Sequence, residues 1–249
     1  MKRFTPAKMA ARVSEVRYWF WVSTFKSPWT WSILACIGVV GLLQVTSGFG
    51  RSSDPDRSVI TLAGIVKDNI RQGETWRLLT GTLLHANLMH FLFNFLALLG
   101  LGKLIEVIAN RAYVPLVFIT AALVGSLFSL WLLPTQTSVG ASGGIMGLIG
   151  FLAVLSYFHR NLLPRAFLKS LLISIIYVFV AGLVAFNAID NPAHLGGLLA
   201  GAASGILLAR NKQNQIPLPT PRAISLLGVL AMAGVAAVVA LCAQRLIAG

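Results

Sequence analysis

The chain has 249 residues, 57% of them hydrophobic and 11% charged. A soluble domain carries about 25% charged residues and about 45–50% apolar ones, so composition excludes an ordinary soluble globular protein. A net charge of +13 would suggest nucleic acid in a soluble chain, but here the positions of the basic residues account for it.

Runs without Asp, Glu, Lys or Arg cover 27–50, 78–102, 112–159, 170–189, 191–209 and 223–244. A membrane-spanning helix takes roughly 20 mostly apolar residues. Five of these runs fit one span each, and 112–159 fits two, broken at residues 133–138. The expected fold class is therefore an all-α polytopic membrane protein with seven helices.

In chain order, residues 1–29 form a basic N-terminal segment with Trp19, Trp21 and Trp29, suited to lie along the inner membrane surface. It lacks the short apolar core and small-residue cleavage site of a signal peptide. The first span is predicted at about 30–48, and a long outer loop at 49–82. Within that loop, 60–66 is apolar but too short to span, so it either dips into the interface or packs on the helices. Further spans are predicted at about 86–106, 113–133, 141–158, 168–187 and 192–209. Residues 210–222, with Pro217, Pro219 and Pro221, read as a cytoplasmic linker before a seventh span at about 223–245, within a last segment 223–249.

Cytoplasmic loops collect Lys and Arg. With the N-terminus inside, fourteen of the 20 basic residues fall on the cytoplasmic side and six outside, which puts the C-terminus outside. That places Cys36 and Cys242 nearer opposite faces, and no disulfide is expected between them. Charge placement also removes the reason to expect nucleic acid as a partner; the expected partner is the lipid bilayer.

Polar residues inside spans are costly in lipid and mark function by default. Three clusters stand out: His85, His90 and Asn94 at the start of the second span, Gly140 to Gly144 around Ser142 at the start of the fourth, and Asn191 to Gly197 around His194 at the start of the sixth. These three spans run the same way, so the clusters share a depth just below the outer surface. Ser142 needs a base to take its proton, and His194 can serve if the fourth and sixth spans touch. Gly140, Gly143, Gly197 and Gly201 favour that contact, since small residues let membrane helices approach closely. His90 and Asn94, four apart, share a helix face and can donate to an oxyanion, as can the Ser142 N–H at a helix start. No Asp lies in the spans to orient His194, so the arrangement is a dyad. Asp190 and Asn191 are expected to cap the sixth span. Glu106 is expected to pair with Lys103 or Arg111, and Arg77 to anchor to headgroups. A zinc protease is excluded by the lack of H-E-x-x-H, and neither metal nor cofactor is expected.

With these residues in view, the sequence resembles the rhomboid intramembrane serine proteases. The resemblance rests on Trp76 and Arg77, the His85/His90/Asn94 spacing, Gly140-Ala141-Ser142-Gly143 and Ala193-His194-Leu195-Gly196-Gly197, over roughly 30–209. It implies a six-helix core at 30–209 with an added seventh helix. It also implies Ser142 as nucleophile, His194 as base, and Asn94, His90 and the Ser142 N–H as oxyanion hole. His85 would support the second span, and Trp76 and Arg77 would belong to an outer loop embedded beside the bundle. Substrates would be transmembrane proteins cut near the outer face, with a mobile loop between the fifth and sixth spans covering the site. Met146 departs from the pattern, standing where the resemblance implies Tyr or Phe stacked on the histidine; a thioether can still pack on a ring. The other reading is a catalytically weak or inactive rhomboid-fold protein that binds membrane clients. The chain is expected in a bacterial inner membrane.

Overall fold

The computed structural model describes residues 27–46, 59–159, 163, 165–185, 189–208 and 221–248. The expectations for residues 1–26 of the N-terminal segment, for 210–220 of the linker and for 186–188 of the loop between the fifth and sixth spans lie outside the described residues.

Among the described residues ten helices appear in this order: α1 (Pro28–Thr46), α2 (Val59–Ala63), α3 (Lys67–Arg71), α4 (Arg77–Thr80), α5 (Leu88–Ile108), α6 (Tyr113–Leu132), α7 (Ser142–Phe158), α8 (Arg165–Val184), α9 (Asn191–Leu208) and α10 (Arg222–Ala248). The seven long ones match the seven expected spans to within a few residues. The largest shifts are of three residues: α8 lies earlier than expected, at Arg165–Val184, and α10 runs on to Ala248. Among the described residues, α1, α5, α6, α8 and α10 are long and apolar enough to cross a membrane.

Of the remaining two long helices, α7 is enclosed by the bundle, whereas α9 buries one face and exposes Leu195, Leu199 and Leu207. Every residue of α7 from Gly143 to Leu152 is buried. A helix enclosed by protein does not need the length or hydropathy that lipid demands, and it can carry glycine and serine. α9 packs against α7 and α6, and α6 against α7, so these three form the centre. Glycine makes the contact possible: a Cβ on Gly197 would overlap the Gly143 carbonyl oxygen, and one on Gly201 the Gly147 carbonyl oxygen. Such backbone approach replaces the hydrophobic driving force that is lacking between helices in lipid.

Around this centre, α1 packs on α5 and α10, and α10 also reaches α6. Glu106 Oε1 accepts the Thr30 N–H and the Thr30 hydroxyl, each at 2.7 Å. This corrects the expected pairing with Lys103 or Arg111: the carboxylate satisfies a free N–H in the first turn of α1. α8 is the loosest helix, with only Leu171 and Gly182 buried. One tie is Asn191 Nδ2, which donates to the Phe179 carbonyl at 3.2 Å.

From Val59 onward the long loop packs on the helices. Ala63 and Ile65 are buried in the core. Ile65 and Ser138 exchange backbone hydrogen bonds of 2.9 and 3.2 Å, which fastens the loop to the segment leading into α7.

Candidate active site

Ser142 is the first residue of α7, and its position follows from the backbone just before it. Gly140 donates its N–H to the Gly81 carbonyl at 2.9 Å and has φ +127°, a region open to glycine and strained for other residues. That turn delivers Ser142 to the helix start, where backbone N–H groups have no partner within the helix.

His194 lies in the first turn of α9, and its N–H donates to the Asp190 carbonyl at 3.1 Å. Its Nε2 is 2.8 Å from Ser142 Oγ. The Gly143–Gly197 backbone contact is adjacent, so the same close approach that packs α7 on α9 brings hydroxyl and imidazole together. The ring is buried, and its Nδ1 has no hydrogen-bond partner among the described residues. For Nε2 to accept the serine proton, the ring hydrogen must sit on Nδ1.

His90 and Asn94 come from α5. Asn94 is buried, and its Nδ2 has no partner among the described residues. It lines one cavity of about 1210 Å³ with His90, Ser142, Met146 and His194. A buried amide that lines a cavity and lacks a partner is a donor ready for an acceptor that enters. His90 lies against Gly140 on one side and His85 on the other, the two rings 5.2 Å apart and edge-to-face. His85 does not line the cavity. Its backbone N–H and C=O pair with the Gln44 side-chain amide, both at 3.1 Å. Burial pushes its imidazole down to about 3, and nearby His90 adds to the fall.

The same cavity continues down between α5 and α8, where Phe93, Leu96, Ile173 and Tyr177 line it. All four are exposed apolar or aromatic side chains, so the cavity is open at the side of the bundle.

Trp76 and Arg77 lie in the long loop, outside the cavity lining. Arg77 is buried and donates to the carbonyls of Thr61 and Gly64 at 2.9 and 3.2 Å, and to Glu74. Its guanidinium therefore holds the loop's shape rather than reaching headgroups. Two cations stack over the Trp76 ring: Arg77 at 4.6 Å from its centroid and Arg245, near the end of α10, at 4.7 Å.

Sequence reasoning did not single out Lys67, Ser129 and Ser138. Lys67 Nζ donates to Ser129 Oγ at 2.6 Å, and Ser129 donates to Asp190. Ser138 Oγ donates to the same carboxylate at 2.6 Å. Burial pushes the Lys67 ammonium below the ordinary lysine value, with the Asp190 charge acting against it. The one available signal was a lysine directly after the apolar run 60–66. Among the described residues no group of His, Cys, Asp and Glu is arranged to hold a metal.

Comparison with known proteins gives the family. The Rhomboid domain matches residues 72–211, more than half of the chain. Rhomboid protease GluP of Bacillus subtilis is 32% identical over 160 residues, covering 64% of this chain and 30% of the relative. RHOMBOID-like protein 4 of Arabidopsis thaliana is 30% identical over 149 residues, 59% of this chain and 38% of the relative. Putative rhomboid protease YdcA of Bacillus subtilis is 29% identical over 147 residues, 59% and 73%. The chain thus spans about a third of the length of the first two relatives.

Proposed function

Since the chain belongs to the rhomboid family of membrane proteins, we propose that it is an intramembrane serine endopeptidase acting through Ser142 and His194. The observation that carries this reading is the 2.8 Å separation of Ser142 Oγ and His194 Nε2 within a cavity that also holds the unpartnered Asn94 amide. A serine, an acceptor nitrogen and a spare donor are what acyl transfer needs.

In the proposed reaction, Ser142 Oγ attacks the scissile carbonyl carbon as its proton passes to His194 Nε2. The carbonyl π electrons move to oxygen. Asn94 Nδ2, a His90 ring N–H and the Ser142 N–H stabilise that oxyanion. Collapse re-forms the carbonyl and breaks the C–N bond, and the leaving amine takes the proton from His194. Water, activated by the same nitrogen, then attacks the acyl-enzyme and frees Ser142. Neither metal nor cofactor takes part. Pre-placed donors of this kind are each worth about 10²–10³ in rate.

The substrate would be a protein with a membrane-spanning segment. The side opening between α5 and α8 suits a helix arriving from the lipid, and α8, with two buried residues, offers little resistance to displacement. The basic-residue distribution supports an N-terminus on the cytoplasmic side and cleavage near the outer face, and the membrane we propose is a bacterial cell membrane.

A serine-directed fluorophosphonate tests the nucleophile. The wild type should be labelled in detergent, and Ser142→Ala and His194→Ala should not. Undiminished labelling of Ser142→Ala would refute the assignment. A folded wild type that takes no label would favour the client-binding alternative.

A further inference from the structure

Three separate segments converge on one carboxylate. Asp190 Oδ1 accepts the Ala193 N–H at 2.9 Å, and the Asp190 carbonyl accepts the His194 N–H at 3.1 Å. These bonds cap the helix turn that carries His194. Capping occupies one carboxylate oxygen. The other, Oδ2, accepts the hydroxyls of Ser138 and Ser129. Ser138 lies four residues ahead of Ser142, in the segment that sets where α7 begins. Ser129, on α6, accepts in turn from Lys67 Nζ in the long loop.

The proton inventory has one consistent direction. Lys67 can only donate, the Ser129 hydroxyl accepts from Lys67 and gives its hydrogen to Asp190, and the carboxylate accepts three times and donates nowhere. Lys67 is 2% exposed. A buried ammonium is costly without an opposite charge, and here that charge stands one hydroxyl away.

We infer that Asp190 is a positioning residue that sets the placement of His194 against Ser142, and that Lys67 holds its carboxylate in place, so that docking of the long loop and alignment of the dyad are one event. This rests on the dyad reading above. The cap fixes the base's helix, the Ser138 bond fixes the nucleophile's approach, and both act through one side chain. Without Oδ2 the two segments can slide past each other, and a misplacement of about 1 Å costs about 10²-fold in rate.

Asp190→Asn separates positioning from capping, because Asn caps a helix about as well as Asp at nearly the same volume but brings no charge to Lys67. The test measures kcat and KM on a single-span substrate, the rate of fluorophosphonate labelling, and the melting temperature. Asp190→Asn should lower kcat and labelling of the folded protein about 10-fold with KM near wild type, and it should lower the melting temperature as well, because buried Lys67 loses its opposite charge. Asp190→Ala should lower kcat about 10²-fold. Lys67→Met should also lower kcat, and the double variant Lys67→Met/Asp190→Asn should lose no more than Asp190→Asn alone. Wild-type kcat and labelling in Asp190→Asn would overturn the inference. So would losses that multiply in the double variant, or an effect on KM or melting temperature alone. Ser142→Ala, run alongside, keeps the two readings apart. If it is inactive while Asp190→Asn is fully active, the dyad stands and the positioning role falls. If it still cleaves, the dyad reading itself has failed.

Discussion

The imidazole of His90 lies against the Cα of Gly140, so that a Cβ built on the glycine would stand 2.6 Å from His90 Cε1. Gly140 also has φ +127°. Two demands therefore meet at one residue: a backbone shape and a missing side chain. Gly140→Ala should cost about 1–3 kcal/mol in backbone strain and push His90 or the Ser142 turn out of place. The expected outcome is a lower melting temperature together with a fall in kcat of about 10²-fold, in line with a displacement of about 1 Å. Wild-type kcat in a folded Gly140→Ala would show that His90 and the turn relax without consequence.

A second pair of positions separates packing from chemistry. Gly197 meets Gly143 beside the dyad, and Gly201 meets Gly147 one turn further from it. An alanine at either forces α9 off α7 and should lower stability by about 1–3 kcal/mol, as overpacking does. Gly197→Ala should also slow fluorophosphonate labelling of the folded fraction more strongly than Gly201→Ala. Equal labelling rates in the two variants would mean that the helix contact does not set the dyad.

Gln44 offers a stability prediction away from the cavity. Its amide pairs with both backbone groups of His85. Gln44→Leu leaves a buried N–H and C=O unsatisfied, at about 1–3 kcal/mol each. Melting temperature should fall clearly while KM for a model substrate holds. An unchanged melting temperature would show that the clamp contributes nothing.

The long loop should loosen in acid. The Arg77 guanidinium, which hydrogen-bonds the Glu74 carboxylate, is the main cause holding it below the ordinary carboxylate value, and burial opposes this. A carboxyl whose folded value is depressed stabilises the fold above its unfolded value, and that stability is lost as pH falls through the folded value. The wild type should therefore lose melting temperature below about pH 4.5, and Glu74→Gln should show less of that dependence. Identical acid profiles would remove Glu74 from the account. The effect should be small, because Glu74 is partly exposed.

The helices and the polar positions that line the cavity were legible in the sequence because membranes simplify the code. Lipid demands long charge-free runs, and basic residues sort the ends. A polar residue within a run, such as His194 or Asn94, then stands out. The loop was not legible in the same way. Arg77 and Lys67 read as outer-surface cations, yet both are buried. Their partners lie far along the chain or in the backbone: Ser129 is 62 residues from Lys67, and Arg77 bonds carbonyls that no sequence pattern marks. Glu106 misled for the same reason, since its partner Thr30 is 76 residues away while Lys103 and Arg111 are close in sequence. Local spacing reports what a helix face carries; it does not report which distant group satisfies a buried charge.

Everything proposed for the cavity depends on Ser142 being the nucleophile of a protease that cuts within membranes. The most direct measurement is cleavage of a model single-span protein in liposomes by wild type and Ser142→Ala at equal, verified levels of folded protein. The wild type should cut near one end of the span, and Ser142→Ala should show no cleavage above background. Equal cleavage by both would contradict the nucleophile assignment.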